Sequence, residues 1–301
     1  MFFNFSKKEC FTKTISFTFI IFLIIIFTQL FSIDKYERTI SLGIPDSTQV
    51  QILTIEDGSS FIGRIIEFGE EELKFETKHG VMTISIFEIA DLKLISEDQL
   101  KEGKYWFPNP NCSRLFFAPT GRMLKKGEGY FADYFIFFPT INYGITSNIS
   151  LGGGFSIIPG LDLDEQVLLF TPKVGIKTSA KMDLAVGALV VKPPEDISSL
   201  GILYGVSTFG TLDKSCTVGL GYGYVEDELA DKPMIVLGGE LRTSRSISLV
   251  TENWIIPEKD TPVLSFGLRF FGEKISADFA LIFPLEEDVF TFPYIDFVYK
   301  F

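Results

Sequence analysis

Residues 216–224 read Cys-Thr-Val-Gly-Leu-Gly-Tyr-Gly-Tyr, an alternation without a break. In an extended strand Cys216, Val218, Leu220, Tyr222 and Tyr224 fall on one face, and Thr217, Gly219, Gly221 and Gly223 on the other. The same period of two returns elsewhere. Ile149, Leu151, Phe155 and Ile157 oppose Ser150, Gly152, Gly154 and Ser156; Met182, Leu184, Val186, Ala188 and Val190 oppose Asp183, Ala185 and Gly187; Ile275, Ala277, Phe279, Leu281 and Phe283 oppose Ser276, Asp278 and Ala280. A soluble sandwich would bury the apolar face and present Lys, Glu and Thr to water. Here the second face is mostly Gly, Ser and Ala with single charges, which suits a crowded or water-filled interior. The apolar face is then the outer one, turned to lipid.

These segments belong to a repeated unit of strand, turn, strand and longer loop, running through residues 129–301 with no helical period. Twelve strands are predicted near 130–137, 140–146, 149–158, 168–178, 182–192, 202–210, 216–225, 234–242, 247–255, 262–271, 275–283 and 292–301. Short turns carry Lys181, Lys214, Arg245 and Lys274. The longer loops carry acid: Asp162, Asp164 and Glu165; Glu195 and Asp196; Glu226, Asp227, Glu228 and Asp231; Glu258 and Asp260; Glu286, Glu287 and Asp288. Tyr222, Tyr224 and Trp254 on the loop side, with Tyr143 and Phe270 on the turn side, are expected at the two membrane interfaces. The last strand alternates Ile295, Phe297, Tyr299 and Phe301 on one face.

An even count of antiparallel strands, short turns opposite longer loops, and a last strand ending in Phe resemble the outer-membrane β-barrel proteins of Gram-negative bacteria. The resemblance implies an antiparallel transmembrane β-barrel of about 12 strands over 129–301. It also implies that Phe297, Tyr299 and Phe301 form the signal read by the barrel-assembly machinery.

The chain has 301 residues, 46% hydrophobic and 22% charged, with a net charge of −12 and a mean hydropathy of +0.27. That hydrophobicity excludes disorder. The acidity makes nucleic acid a poor partner, because phosphate binding needs a basic surface. Of 32 phenylalanines, nine lie in the first 32 residues. There Lys7, Lys8 and Lys13 precede the apolar run Ile15–Phe31, which reads as a signal peptide over residues 1–32, cleaved after Ser32, with an uncleaved anchor as the alternative. Cys112 and Cys216 remain in the exported chain, either as an oxidised pair or as two unrelated small apolar residues.

Residues 45–95 alternate as about five short strands joined by turns at Glu56-Asp57-Gly58-Ser59 and Lys78-His79-Gly80. The pattern resembles small SH3-like or Sm-like barrels and implies a small SH3-like β-barrel domain. An acidic segment behind an export signal is not expected to bind RNA, so a periplasmic module docking a protein partner is the better reading. Residues 96–128 are a connector or plug, with Ser113-Arg114-Leu115-Phe116-Phe117-Ala118 a strand or a lumen insert and Arg122, Lys125 and Lys126 a solvated loop.

Strand alternation points Lys173, Lys177, Asp183, Glu240, Arg242, Glu252, Arg269, Asp278, Asp296 and Lys300 into the lumen. They line a narrow polar pore or, somewhat better supported, fill a closed interior as a salt-bridge network. The single histidine, His79, lies in a turn of the small domain, so the barrel holds no His-dependent catalytic site. No cofactor or metal motif is found; Asp162-Leu163-Asp164-Glu165 reads as a solvated loop. The expectation is a non-enzymatic outer-membrane protein, structural or scaffold-like, with its small domain in the periplasm. The alternatives are a narrow passive channel for small solutes and a soluble secreted β protein held by an N-terminal anchor.

Overall fold

The computed structural model describes residues 43–194, 198–226, 228–256, 261–285 and 290–301. The export segment, residues 1–32, lies outside the described residues, as do Glu195, Asp196, Asp227, Glu258, Asp260, Glu286, Glu287 and Asp288 of the acidic loops. The chain divides after Tyr105 into two compact units. Among the described residues both are built of strands, the helical elements being three-residue 3-10 turns. No described helix is long and apolar enough to cross a membrane, which says nothing of a barrel.

In the first unit β1 (Gln49–Ile55), β2 (Ser60–Phe68), β3 (Glu72–Thr77), β4 (Gly80–Ser85) and β5 (Ile89–Ser96) form an antiparallel sheet in the order β4-β3-β2-β1-β5. The alternation explains the burial: in β3, Leu73 and Phe75 are buried while Glu72, Lys74 and Glu76 are exposed. Leu53, Ile65, Leu73, Phe75, Ile84 and Ile89 make the core. Asp57 turns the chain by accepting the Ser59 N–H at 2.7 Å, a bond that holds its carboxyl below the usual value. A ribbon of β6 (Leu100–Lys101) and β7 (Lys104–Tyr105) ends the unit, turning through Glu102 and Gly103, both at positive φ.

The second unit is a closed barrel. Its strands are β8 (Gly129–Tyr134), β9 (Phe138–Gly144), β10 (Ile149–Phe155), β11 (Leu168–Phe170), β12 (Lys173–Ser179), β13 (Met182–Lys192), β14 (Leu200–Gly210) and β15 (Lys214–Val225), with a short flap β16 (Glu228–Leu229) on β15. They continue as β17 (Met234–Ser244), β18 (Ile247–Ile256), β19 (Thr261–Phe271), β20 (Ile275–Pro284) and β21 (Phe292–Lys300). β11 and β12 are one strand interrupted at Thr171-Pro172: Pro172 accepts the Ala188 N–H at 3.0 Å and has no N–H to return. Counted so, twelve antiparallel strands pair each with the next. β21 closes on β8, with Phe297 opposite Asp133 and Lys300 opposite Tyr130. Closure leaves no unpaired sheet edge, the condition for strands to span lipid.

The turns 145–148, 180–181, 211–213, 245–246 and 272–274 share one end of the barrel with Gly129 and Phe301, whose backbones exchange two hydrogen bonds. The strand ends that flank 135–137, 156–167, 193–199, 226–233, 257–260 and 285–291 share the other end.

The alternation sorts the wall. Val174, Ile176, Val186, Leu203, Leu220, Leu241, Leu249, Phe266, Phe279 and Phe297 are exposed on the outer face, Phe266 to 58% and Val186 to 60%. Ser150, Thr208, Thr217, Ser248, Ser265 and Ser276 are buried on the inner face. One aromatic departs from the interfacial reading. Trp254 shares parity with Glu252 and points inward, where its indole N–H donates to Glu252 Oε1 at 2.7 Å. Cys216 faces outward on β15 while Cys112 lies in the segment inside the barrel; both are free, and the wall stands between them.

Candidate functional site: a lumen filled by the chain itself

Residues 106–128 enter the barrel and are held there by the inward charges of β17 to β21. Leu115 and Phe116 pack on inward Val250, Ala280, Ile282 and Tyr294, and the Tyr294 hydroxyl donates to Phe116 O at 3.0 Å. The segment folds back as a small hairpin, with Arg114 bridged to Pro119 and the Leu115 N–H donating to Ala118 O. At Gly121 its backbone meets the wall so closely that a Cβ would lie 2.2 Å from Asp183 O; the Gly121 N–H instead donates to Thr208 Oγ1 at 2.8 Å.

Arg269 stands at the centre with no solvent exposure. Its Nε and Nη2 donate to the two oxygens of Asp278, at 2.8 and 2.7 Å, in a fork-to-fork pair. Nη1 donates to Asn111 O at 2.7 Å and reaches Glu240 Oε2 at 3.2 Å, and Nη2 also reaches Leu115 O at 2.7 Å. One guanidinium therefore ties β17, β19 and β20 to two points of the inserted segment. Asn109 Nδ2 donates to the other oxygen of Glu240 at 2.7 Å. Arg114 pairs with buried Asp296 and stacks 4.4 Å from the Tyr134 ring centre. Glu252 accepts the consecutive N–H groups of Phe116, Phe117 and Ala118 at 2.9, 3.0 and 3.0 Å. Three donors converging on one oxygen fix the hairpin tip.

The lumen residues read from alternation divide in two. Glu240, Glu252, Arg269, Asp278 and Asp296 are brought together around the insert. Lys173 is buried on the opposite wall, donating to Ser113 O at 3.1 Å and Arg122 O at 2.7 Å. Arg242 lies nearer the turn end, paired with Asp213 at 3.1 Å and stacked on Trp106 and Phe271. Asp183 meets Arg122 at 3.9 Å. Lys177 is exposed at the end of β12, and Lys300 pairs with Glu128 at 3.2 Å. The solvated-loop reading of Arg122 is corrected: only Lys125 and Lys126 are exposed, while Arg122 is buried and donates to Thr211 O. Phe297 and Tyr299 lie on the outer face of β21, with exposed Phe301 just past its end and Tyr294, Asp296 and Val298 inside.

The insert does not fill the whole lumen. Beside it, against β8 to β15, β17 and β18, lies a cavity of about 500 Å³. Its lining runs from Leu124 and Lys173 past Tyr204, Val206 and Leu189 to Phe135, Ile202 and Trp254 near the loop end. Alternation alone did not reveal it, because its shape depends on where the insert lies. No cluster of metal-ligating side chains occurs among the described residues.

No family model and no curated protein matches this chain. Among solved structures it is similar to the KdgM porin in complex with disordered oligogalacturonate, 7% identical, over 58% of this chain and 98% of that one, with a TM-score of 0.45. It is also similar to OmpT, an outer membrane protein of Vibrio cholerae, with loop L8 deleted (10% identical, 84% of this chain and 97% of that one, TM-score 0.33). A mutant porin of Rh. blastica gives the same four values. These neighbours are outer-membrane barrels; likeness this distant says nothing of what this lumen holds.

Proposed function

We propose that this chain is a non-enzymatic outer-membrane barrel whose own residues 106–128 close its lumen, and that its role is structural or scaffold-like. The observation that carries the reading is the convergence of three backbone N–H groups on Glu252, beside the Arg269–Asp278 pair. A segment held by buried, charge-assisted bonds is not exchanged for solute at thermal cost. The outer face supports the membrane setting: soluble monomers rarely expose contiguous apolar patches beyond a few hundred Å², whereas this belt surrounds the barrel. The small domain, read as an SH3-like module in the periplasm, would dock a protein partner. The outward row Phe297, Tyr299 and Phe301 would be what the barrel-assembly machinery reads.

The competing reading is a narrow channel, and conductance in planar bilayers separates the two. Folded protein is expected to give no steady unitary current at moderate voltage. A stable, ohmic single-channel step from the unaltered chain would overturn the closed-lumen reading.

A further inference from the structure

The cations inside the barrel are not all treated alike. Arg114 has Asp296, Arg122 has Asp183, Arg242 has Asp213, and Arg269 has both Asp278 and Glu240. Lys173, 7% exposed, has two backbone carbonyls, and among the described residues no carboxylate lies within ion-pair distance of it. An ammonium carries three donors, so two carbonyls leave one. A buried ammonium with no carboxylate in contact is costly, since buried charges are normally paired, and a desolvated ionisable group facing a cavity marks a candidate ligand site.

Lys173 lines the cavity beside the insert. The rest of that lining is largely hydrocarbon and aromatic: Leu124, Leu189, Ile202, Val206, Val236 and Trp254. At about 500 Å³ the space lies within the range of roughly 300–1,000 Å³ usual for small-molecule sites. Its lining reaches from Lys173 at mid-wall on β12 across to Trp254 near the loop end of β18.

We propose that this cavity binds a single long-chain carboxylate, its alkyl chain along the apolar lining and its head group on Lys173 Nζ. A single ammonium with one remaining donor matches a monoanionic carboxylate better than a dianionic phosphate. A cavity of this size accepts one chain, not the two of a diacyl lipid. The site goes beyond the closed-barrel reading and does not require the barrel to conduct.

The test uses the full chain in zwitterionic lipid nanodiscs. The sequence holds two tryptophans, Trp106 and Trp254. In a Trp106→Phe background Trp254 is the sole reporter, and terminally brominated dodecanoate is the quenching probe. Saturable quenching is expected, with brominated dodecanol binding about tenfold more weakly or worse, since it lacks the charge that a buried ammonium rewards. Lys173→Met should remove that preference for the acid. Gly219→Phe supplies an independent check: a Cβ at Gly219 makes only ordinary contacts, at 3.5 Å and beyond, so the ring extends into the cavity and should abolish saturable quenching with Lys173 intact. Quenching that never saturates, or that survives Gly219→Phe, means bilayer partitioning and overturns the site. Equal affinity for acid and alcohol in the unmutated lumen overturns the head-group assignment and needs no variant to fold.

Discussion

An Arg269→Met protein is expected to lose the compact, fast-migrating form on unheated gels. The guanidinium has no solvent exposure and satisfies Asp278, Glu240 and the carbonyls of Asn111 and Leu115. Methionine fills much of its volume but leaves Asp278 and Glu240 as neighbouring buried carboxylates with no cation between them. Breaking one buried pair costs about 3–5 kcal/mol. Two carboxylates lose their partner here, and the total stability of a domain is about 5–15 kcal/mol. Chemical denaturation followed by gel shift measures the loss. A triple variant, Arg269→Met with Asp278→Asn and Glu240→Gln, should recover a substantial part of it by removing the stranded charges. A single variant within about 1 kcal/mol of the parent would show that the network does not hold the barrel.

Glu252→Ala is expected to spare the barrel and loosen the hairpin tip of the insert. Its carboxylate is the shared acceptor for Phe116, Phe117 and Ala118 N–H and for the Trp254 indole. Each buried donor left without a partner costs about 1–3 kcal/mol. The wall around Glu252 is untouched, because β17, β18 and β19 remain joined by their own ladders. The fast-migrating gel form should therefore persist while fluctuating current steps appear in planar bilayers, and protease added from either face should cut within 106–128. A silent bilayer with unchanged protease resistance would show that Glu252 does not secure the insert.

The wall was legible in the sequence because a period of two leaves a mark at every residue. Residues 216–224 already separated outward-facing Leu220 from lumen-facing Thr217, and the observed β15 keeps that separation. The same parity put Glu240, Arg269, Asp278 and Asp296 inside. What it could not supply was pairing. Arg114 and Asp296 stand 182 positions apart, and nothing local to Ser113–Ala118 announces that its N–H groups converge on Glu252. Trp254 shows one rule outranking another, since an aromatic near a strand end suits the interface yet parity with Glu252 turns it inward. Arg122 was hidden by its neighbours: in irregular chain, Lys125 and Lys126 in water say little about a residue three positions earlier. The small domain was legible in its five strands for the same reason as the barrel, its turns being marked by Gly58 and Gly80 at positive φ.

The central claim is that this apolar-faced, closed barrel sits in an outer membrane. Fractionation of cells producing the full chain, with each fraction run heated and unheated on the same gel, tests it most directly. The predicted result is recovery in the outer-membrane fraction as a band that migrates faster unheated than heated. Recovery in the soluble or inner-membrane fraction, with one mobility under both conditions, would contradict it.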